Sequence, residues 1–191
     1  MRLRILIAVV FSATTAFAQA GLWSHVSPQA GPQNLAPATL SDAQLKSVAH
    51  LLRQHKPEDI WDCEGADLDE MIKGLRFESI PLPDKQDLIL AEAPAGCARG
   101  GQGANGAMWI IRFDGDVPTL LSSAKEFSGW LFSIQPTLSN VYPDIILVWH
   151  MSAAEANLSY FRFDGKSYHL IGTAKLVTDN QQNQKIVPTP K

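Results

Sequence analysis

The tetrapeptide Arg-Phe-Asp-Gly occurs twice in this chain, at Arg112-Phe113-Asp114-Gly115 and at Arg162-Phe163-Asp164-Gly165. Asp-Gly between two apolar runs is a strong hairpin signal. A two-residue type I′ turn needs positive φ, which Gly adopts freely and Asp tolerates. Two such turns commit the second half of the chain to antiparallel strands. An apolar pair follows each turn at the same distance: Leu120-Leu121 and Leu170-Ile171. Upstream, Asp87-Leu88-Ile89-Leu90 resembles Asp144-Ile145-Ile146-Leu147. Two explanations stand. One is a duplicated strand–loop–hairpin unit, whose two copies would stack into a single β core. The other is the independent use of a favourable turn sequence.

Alternation and turn residues place eight strands, near Arg76–Ile80, Asp87–Glu92, Met108–Phe113, Thr119–Ser122, Trp130–Ile134, Asp144–His150, Ser159–Phe163 and Tyr168–Gly172. The run from Asp144 is almost continuously apolar, as expected of a strand covered on both faces. Trp109 and Trp149 fall in strands and are expected in the core. On the two hairpins, Phe113 and Phe163 alternate with Arg112 and Arg162, so each Arg lies on the face opposite its Phe. Those arginines are expected to be solvated or paired with local carboxylates.

Helical signals are confined to the first half. Ser41 can cap a helix start, with Gln44 reaching back, and Leu45, Val48, Ala49 and Leu52 form one apolar stripe. Pro57 ends it. A shorter helix is expected from Asp67, where Asp67 and Glu70 have capping-box spacing. The fold class is therefore a β-rich α+β domain, with an N-terminal helix packed on an antiparallel meander. Its expected limits are 41–177. Residues 19–40, punctuated by Pro28, Pro32 and Pro37, read as an irregular linker in which Trp23 is free to dock or not. Residues 178–191 are polar and read as a disordered tail.

The chain opens with Arg2 and Arg4, a short apolar run, and Ala16-Phe17-Ala18. That order is the signature of a secretory signal peptide over residues 1–18. The apolar run is shorter than the roughly 20 residues needed to span a bilayer, and no later stretch is apolar enough. Loss of Arg2 and Arg4 leaves 14 basic against 19 acidic residues and moves the net charge from −3 to −5. The mature chain is expected in the periplasm or outside the cell, without a membrane span. Cys63 and Cys97 are the two cysteines. In an exported chain this pair predicts one structural disulfide. The cysteines are too far apart for a redox pair and too few for a zinc site.

Composition excludes several functions. The acidic balance argues against nucleic acid, which needs a basic surface. No Gly-x-Ser-x-Gly or His-Glu-x-x-His occurs, and no cofactor or metal is implied. The acidic residues from Asp59 to Glu70 lack the order of a calcium loop and suit a solvated face. The Gly-rich stretch from Cys97 to Gly106 can turn N–H groups toward an anion, but it lacks a phosphate-loop ending and a following helix. A loop on a rigid sheet is still a natural place for binding residues. Arg99 and Asn105 in this stretch, with Trp130 just after Gly129, form the candidate ligand contact. Trp130 either fills the core or presents its ring for glycan stacking or as a protein hot spot.

The expected function is an exported, non-enzymatic binding module for a protein or envelope glycan. Its size, cysteine count and strand content are those of small periplasmic inhibitors of cell-wall hydrolases, an analogy of fold class alone. One alternative is an envelope hydrolase using His150 with Asp144 or Glu155. Another is a structural accessory domain of an envelope assembly.

Overall fold

The computed structural model describes residues 21–29, 33–55, 68–82, 88–94, 99–100, 105–122, 127–152 and 154–190. The proposed signal peptide, both cysteines, Asp67 and most of the Gly-rich stretch lie outside them. The described chain is β-rich, with few helices. Its strands are β1 (Ala36–Pro37), β2 (Arg76–Ile80), β3 (Leu88–Glu92), β4 (Arg99–Gly100), β5 (Asn105–Asp114), β6 (Val117–Leu120), β7 (Ser128–Ser139), β8 (Tyr142–His150), β9 (Glu155–Phe163), β10 (Tyr168–Thr178) and β11 (Gln184–Pro188). They pair in the order β1-β2-β3-β5-β7-β8-β9-β10-β11, with β4 and β6 also on β5. Two helices follow residues 21–23, which are themselves helical: α1 (Asp42–Gln54) and α2 (Leu68–Lys73). None of the described helices is long and apolar enough to cross a membrane.

The β5–β7 link is short, Gly106 opposite Gly129 and Ala107 opposite Ser128. On either side of it the sheet turns back on itself. Ile80, Leu88, Leu90, Met108 and Ile110 from β2, β3 and β5 share one core with Leu131, Ile145, Leu147, Phe161 and Phe163 from β7 to β9. The two halves of the sheet therefore face each other. A second tie lies before β1. The Gln33 N–H donates to the Leu131 carbonyl at 3.1 Å, and the Ile134 N–H donates to Gln33 Oε1 at 2.8 Å. The segment leading into β1 is thus tied to β7, and with the β1-β2-β3-β5-β7 pairings it closes a ring.

Period-two alternation fills three apolar layers. Ile89, Trp109, Ile111 and Phe113 point to the outer side of the first half, where Val48 and Leu52 of α1 cover them. Leu45 of the expected stripe remains 40% exposed. Helix α1 starts at a full capping box, with Ser41 and Gln44 exchanging hydrogen bonds. Gln44 also donates to the Gly115 carbonyl at 3.2 Å, fixing the helix start to the first hairpin turn. On the outer side of the second half, Ile146, Val148, Leu158 and Tyr160 are covered by Trp23 and Val26. The Trp23 ring meets Tyr160 edge-on at 5.5 Å. Strand β8 is buried on both faces from Tyr142 to Val148. Trp149, expected in the core, is 38% exposed because the strand there runs past its cover.

Three sequence expectations need correction. The stretch expected to be a disordered tail contains β11, which pairs along β10 from Thr178↔Gln184 to Ala174↔Pro188. An edge strand needs little apolar content, and Ile186 packing on the outer layer suffices. The linker is likewise not wholly irregular, since β1 pairs with β2 and Trp23 is buried. Finally, both Asp-Gly turns close one residue later than expected. Asp114 pairs with Val117, and the Asp164 N–H donates to the Ser167 carbonyl at 3.1 Å. Gly115 (φ 62°) and Gly165 (φ 105°) take the first loop position, the type II′ pattern.

The two Arg-Phe-Asp-Gly hairpins match in register. Phe113 faces Pro118 and Arg112 faces Thr119, while Phe163 faces Tyr168 and Arg162 faces His169. Their surroundings are inverted. Phe113 packs in the layer beneath α1, whereas Phe163 packs between the two sheet halves. Stacked copies of one unit would bury the same face. The two hairpins share register and turn chemistry but not the layer they pack in.

Candidate functional site

On the face of β2 and β3 that meets the central core, the apolar rows give out at one corner. Arg76, Glu78 and Ile80 share that face by alternation, as do Leu88, Leu90 and Glu92. Arg76 lies directly opposite Glu92, and their side chains form an ion pair. Glu78 stands two residues along β2 from Arg76. These three residues, with Gln33, Asn34, Trp130 and Leu131, line a cleft of about 270 Å³ where β2 and β3 face β7. The Gln33 carboxamide oxygen is occupied by the Ile134 N–H, which leaves its NH₂ as the donating end. Burial raises the Glu78 pKa above the ordinary carboxylate value, and the neighbouring Glu92 charge raises it further; Arg76 opposes both. The cleft thus combines two carboxylates, a guanidinium and two amides, while Trp130, opposite Val148 of the outer layer, lies on the face of β7 away from Leu131. That set can hydrogen-bond several hydroxyls or a cation.

The three expected contact residues come together along one strip of sheet. Arg99 faces Gly106 and Gly100 faces Asn105, while Gly106 faces Gly129 on the other side. Trp130, next to Gly129, is 38% exposed and lines the cleft. Asn105 is 7% exposed. Its Nδ2 donates to the His150 carbonyl at 3.1 Å and its Oδ1 accepts the His150 N–H at 2.8 Å. Both ends of the amide therefore hold the end of β8, and Asn105 acts on the strip as a clamp. The Arg99 backbone belongs to β4; its side chain lies outside the described residues.

The residues of the alternative hydrolase do not assemble. Asp144 is fully buried at the other end of β8 from His150. It accepts hydrogen bonds from Arg162 (2.8 Å) and Tyr160 (3.2 Å). Burial and the Asp144 charge push the Tyr160 phenol up to about 12. Glu155 lies 3.5 Å from Lys175. His150 is exposed and lines neither this cleft nor the second cavity.

That second cavity is a larger groove of about 460 Å³, with His55, Ser167 and His169 among its walls. Ser167 Oγ approaches His169 Nε2 at 3.0 Å, but Asp164 approaches the same nitrogen at 2.9 Å. A Ser–His–acid relay needs the two partners on opposite ring nitrogens, so this trio is a capped turn. The Ser167 and Lys166 N–H groups that Asp164 accepts, helped by His169, hold its carboxyl below the usual range. Among the described residues no group of three or more His, Cys, Asp or Glu is placed to hold a metal ion.

Sequence reasoning reached Trp130 but missed Arg76, Glu78 and Glu92. A signal was present. In Arg76-Phe77-Glu78-Ser79-Ile80, Phe77 marks one buried face and Ile80 the other, so the charged pair had to share a face with a core residue. No family model matches the chain, and no curated protein or solved structure is detectably similar to it.

Proposed function

We propose that this protein is an exported, non-enzymatic binding module whose ligand is a glycan of the cell envelope, held in the Trp130 cleft. The observation that carries the proposal is that cleft itself. Carboxylate, guanidinium and amide groups line it, and Trp130, 38% exposed, stands on the strand at its rim. Sugars present apolar ring faces and a rim of hydroxyls; the polar groups of the cleft suit the hydroxyls, and the exposed Trp130 ring at its rim suits a ring face. Export rests on the signal-like start of the sequence. Replacing Trp130 by alanine is expected to weaken binding of soluble peptidoglycan fragments at least tenfold by titration calorimetry, about 1.4 kcal/mol. Wild-type protein that binds no such fragment, or a W130A variant that binds equally well, would overturn the proposal.

The same compartment argues for a Cys63–Cys97 disulfide. Closing a loop of that length stabilises by about 3–4 kcal/mol in the chain-entropy model. Protein taken from the oxidising compartment should contain no titratable thiol, and reduction should lower its urea midpoint. Two free thiols would rule the link out.

A further inference from the structure

Residues 21–29 cover the outer layer of the second half of the sheet through side chains alone. Leu22, Trp23 and Val26 pack in one layer with Leu158, Tyr160 and Ala174, and Trp23 and Val26 are buried. Among the described residues, the hydrogen bonds of this segment all run within it. The Val26 N–H donates to the Trp23 carbonyl at 3.1 Å, Ser24 Oγ to the Gly21 carbonyl at 2.9 Å, and Ser27 Oγ to Gln29 Oε1 at 3.3 Å. The next tie along the chain is the Gln33 N–H on the Leu131 carbonyl. The attachment is also imperfectly compensated. The Trp23 indole N–H is buried with no acceptor among the described residues, and an unmet buried donor forfeits the bond that water would give it. Ordering the backbone of 21–29 costs entropy that few buried side chains offset.

The sheet is nevertheless shaped for this segment. A Cβ at Gly172 would lie 2.6 Å from Leu22 Cδ2 and 3.6 Å from Trp23 Nε1. The glycine within β10 is therefore a seat for those two side chains. A fitted seat with few bonds is the pattern of a unit that opens locally. We propose that residues 21–29 form a latch, hinged at Gln33, that releases as one piece while the sheet beneath it stays folded. Docked, it seals Tyr160, whose hydroxyl donates to the buried Asp144. Released, it bares an apolar surface on β9 and β10 that continues through Val148 to the exposed Trp130 opposite it. The latch gates this outer face whatever the cleft holds.

The test is thiol labelling of the mature protein, without denaturant, at two introduced cysteines. Ala174→Cys lies in the layer the latch covers, and Ala91→Cys lies in the layer beneath α1; both alanines are fully buried. Protein without either substitution supplies the background from Cys63 and Cys97. A174C should label at least tenfold faster than A91C. Trp23→Ala should speed labelling of A174C at least tenfold further and leave A91C unchanged, which also reports that the variant is folded. Equal rates at the two cysteines mean that the outer layer opens only with the whole protein, and overturn the latch. A Trp23→Ala variant that speeds both sites, or neither, overturns it as well.

Discussion

Replacing Arg162 by alanine is expected to destabilise the protein by about 3 kcal/mol, read as a lower urea midpoint at unchanged slope. Asp144 has no exposed surface, and its carboxylate is held by the Arg162 guanidinium through Nε at 3.1 Å and Nη2 at 2.8 Å. Tyr160 supplies one more donor at 3.2 Å. Without Arg162 a buried charge keeps one neutral hydrogen bond. Breaking a buried pair in this way costs about 3–5 kcal/mol. The Arg162 side chain is 43% exposed, so water can enter on that side, which places the value at the low end. A second substitution checks the cause. Asp144→Asn added to R162A removes the stranded charge and should recover part of the loss. An R162A midpoint within the error of wild type, or a double variant less stable than R162A, would refute the account.

Gly129→Ala should be comparably damaging, about 2–6 kcal/mol when a left-handed backbone cost and an overpacking cost are combined. Gly129 has φ 116°, a region that L side chains rarely adopt. A Cβ there would lie 2.3 Å from the Val148 carbonyl oxygen and 3.0 Å from its carbon. These are backbone atoms of the paired strand and cannot swing aside. The β7–β8 ladder must open at Trp130↔Val148, and Trp130 moves with it. The variant should therefore lose stability and glycan binding together, whereas W130A should lose binding with a smaller change in midpoint. A G129A protein as stable as wild type would show that β7 leaves β8 at this point without cost.

Much of the local structure was legible in the sequence. The Ser41/Gln44 pair marks the start of α1, since a capping box is read from neighbours alone. The unbroken apolar run Ile145-Ile146-Leu147 marks a strand buried on both faces. Some elements were not legible, for a common reason. Strands β1, β4 and β11 have little apolar content of their own. They exist because a neighbouring strand offers a free edge, as β10 does to β11. The turn at Asn140-Val141 lacks a glycine, and tertiary context holds both residues at positive φ, 48° and 75°. The Asn140 side chain donates to the Phe163 carbonyl at 3.2 Å, a contact between distant segments.

The candidate site divides along the same line. Residue order alone marked Trp130, because an indole after a glycine at the start of a strand invites attention. Residue order also fixed that Arg112 and Phe113, like Arg162 and Phe163, point to opposite faces, since a strand alternates with period two. Only the tertiary structure decided which face is inside. Phe113 went beneath α1 and Phe163 between the sheet halves. The folding of the sheet at β5–β7 brought Arg76, Glu78 and Glu92 into one cleft with Leu131 and the rim at Trp130. Period and turn chemistry act over a few residues. The choice of inner face depends on where two halves of a curled sheet meet, and that is set by packing between segments far apart in the chain.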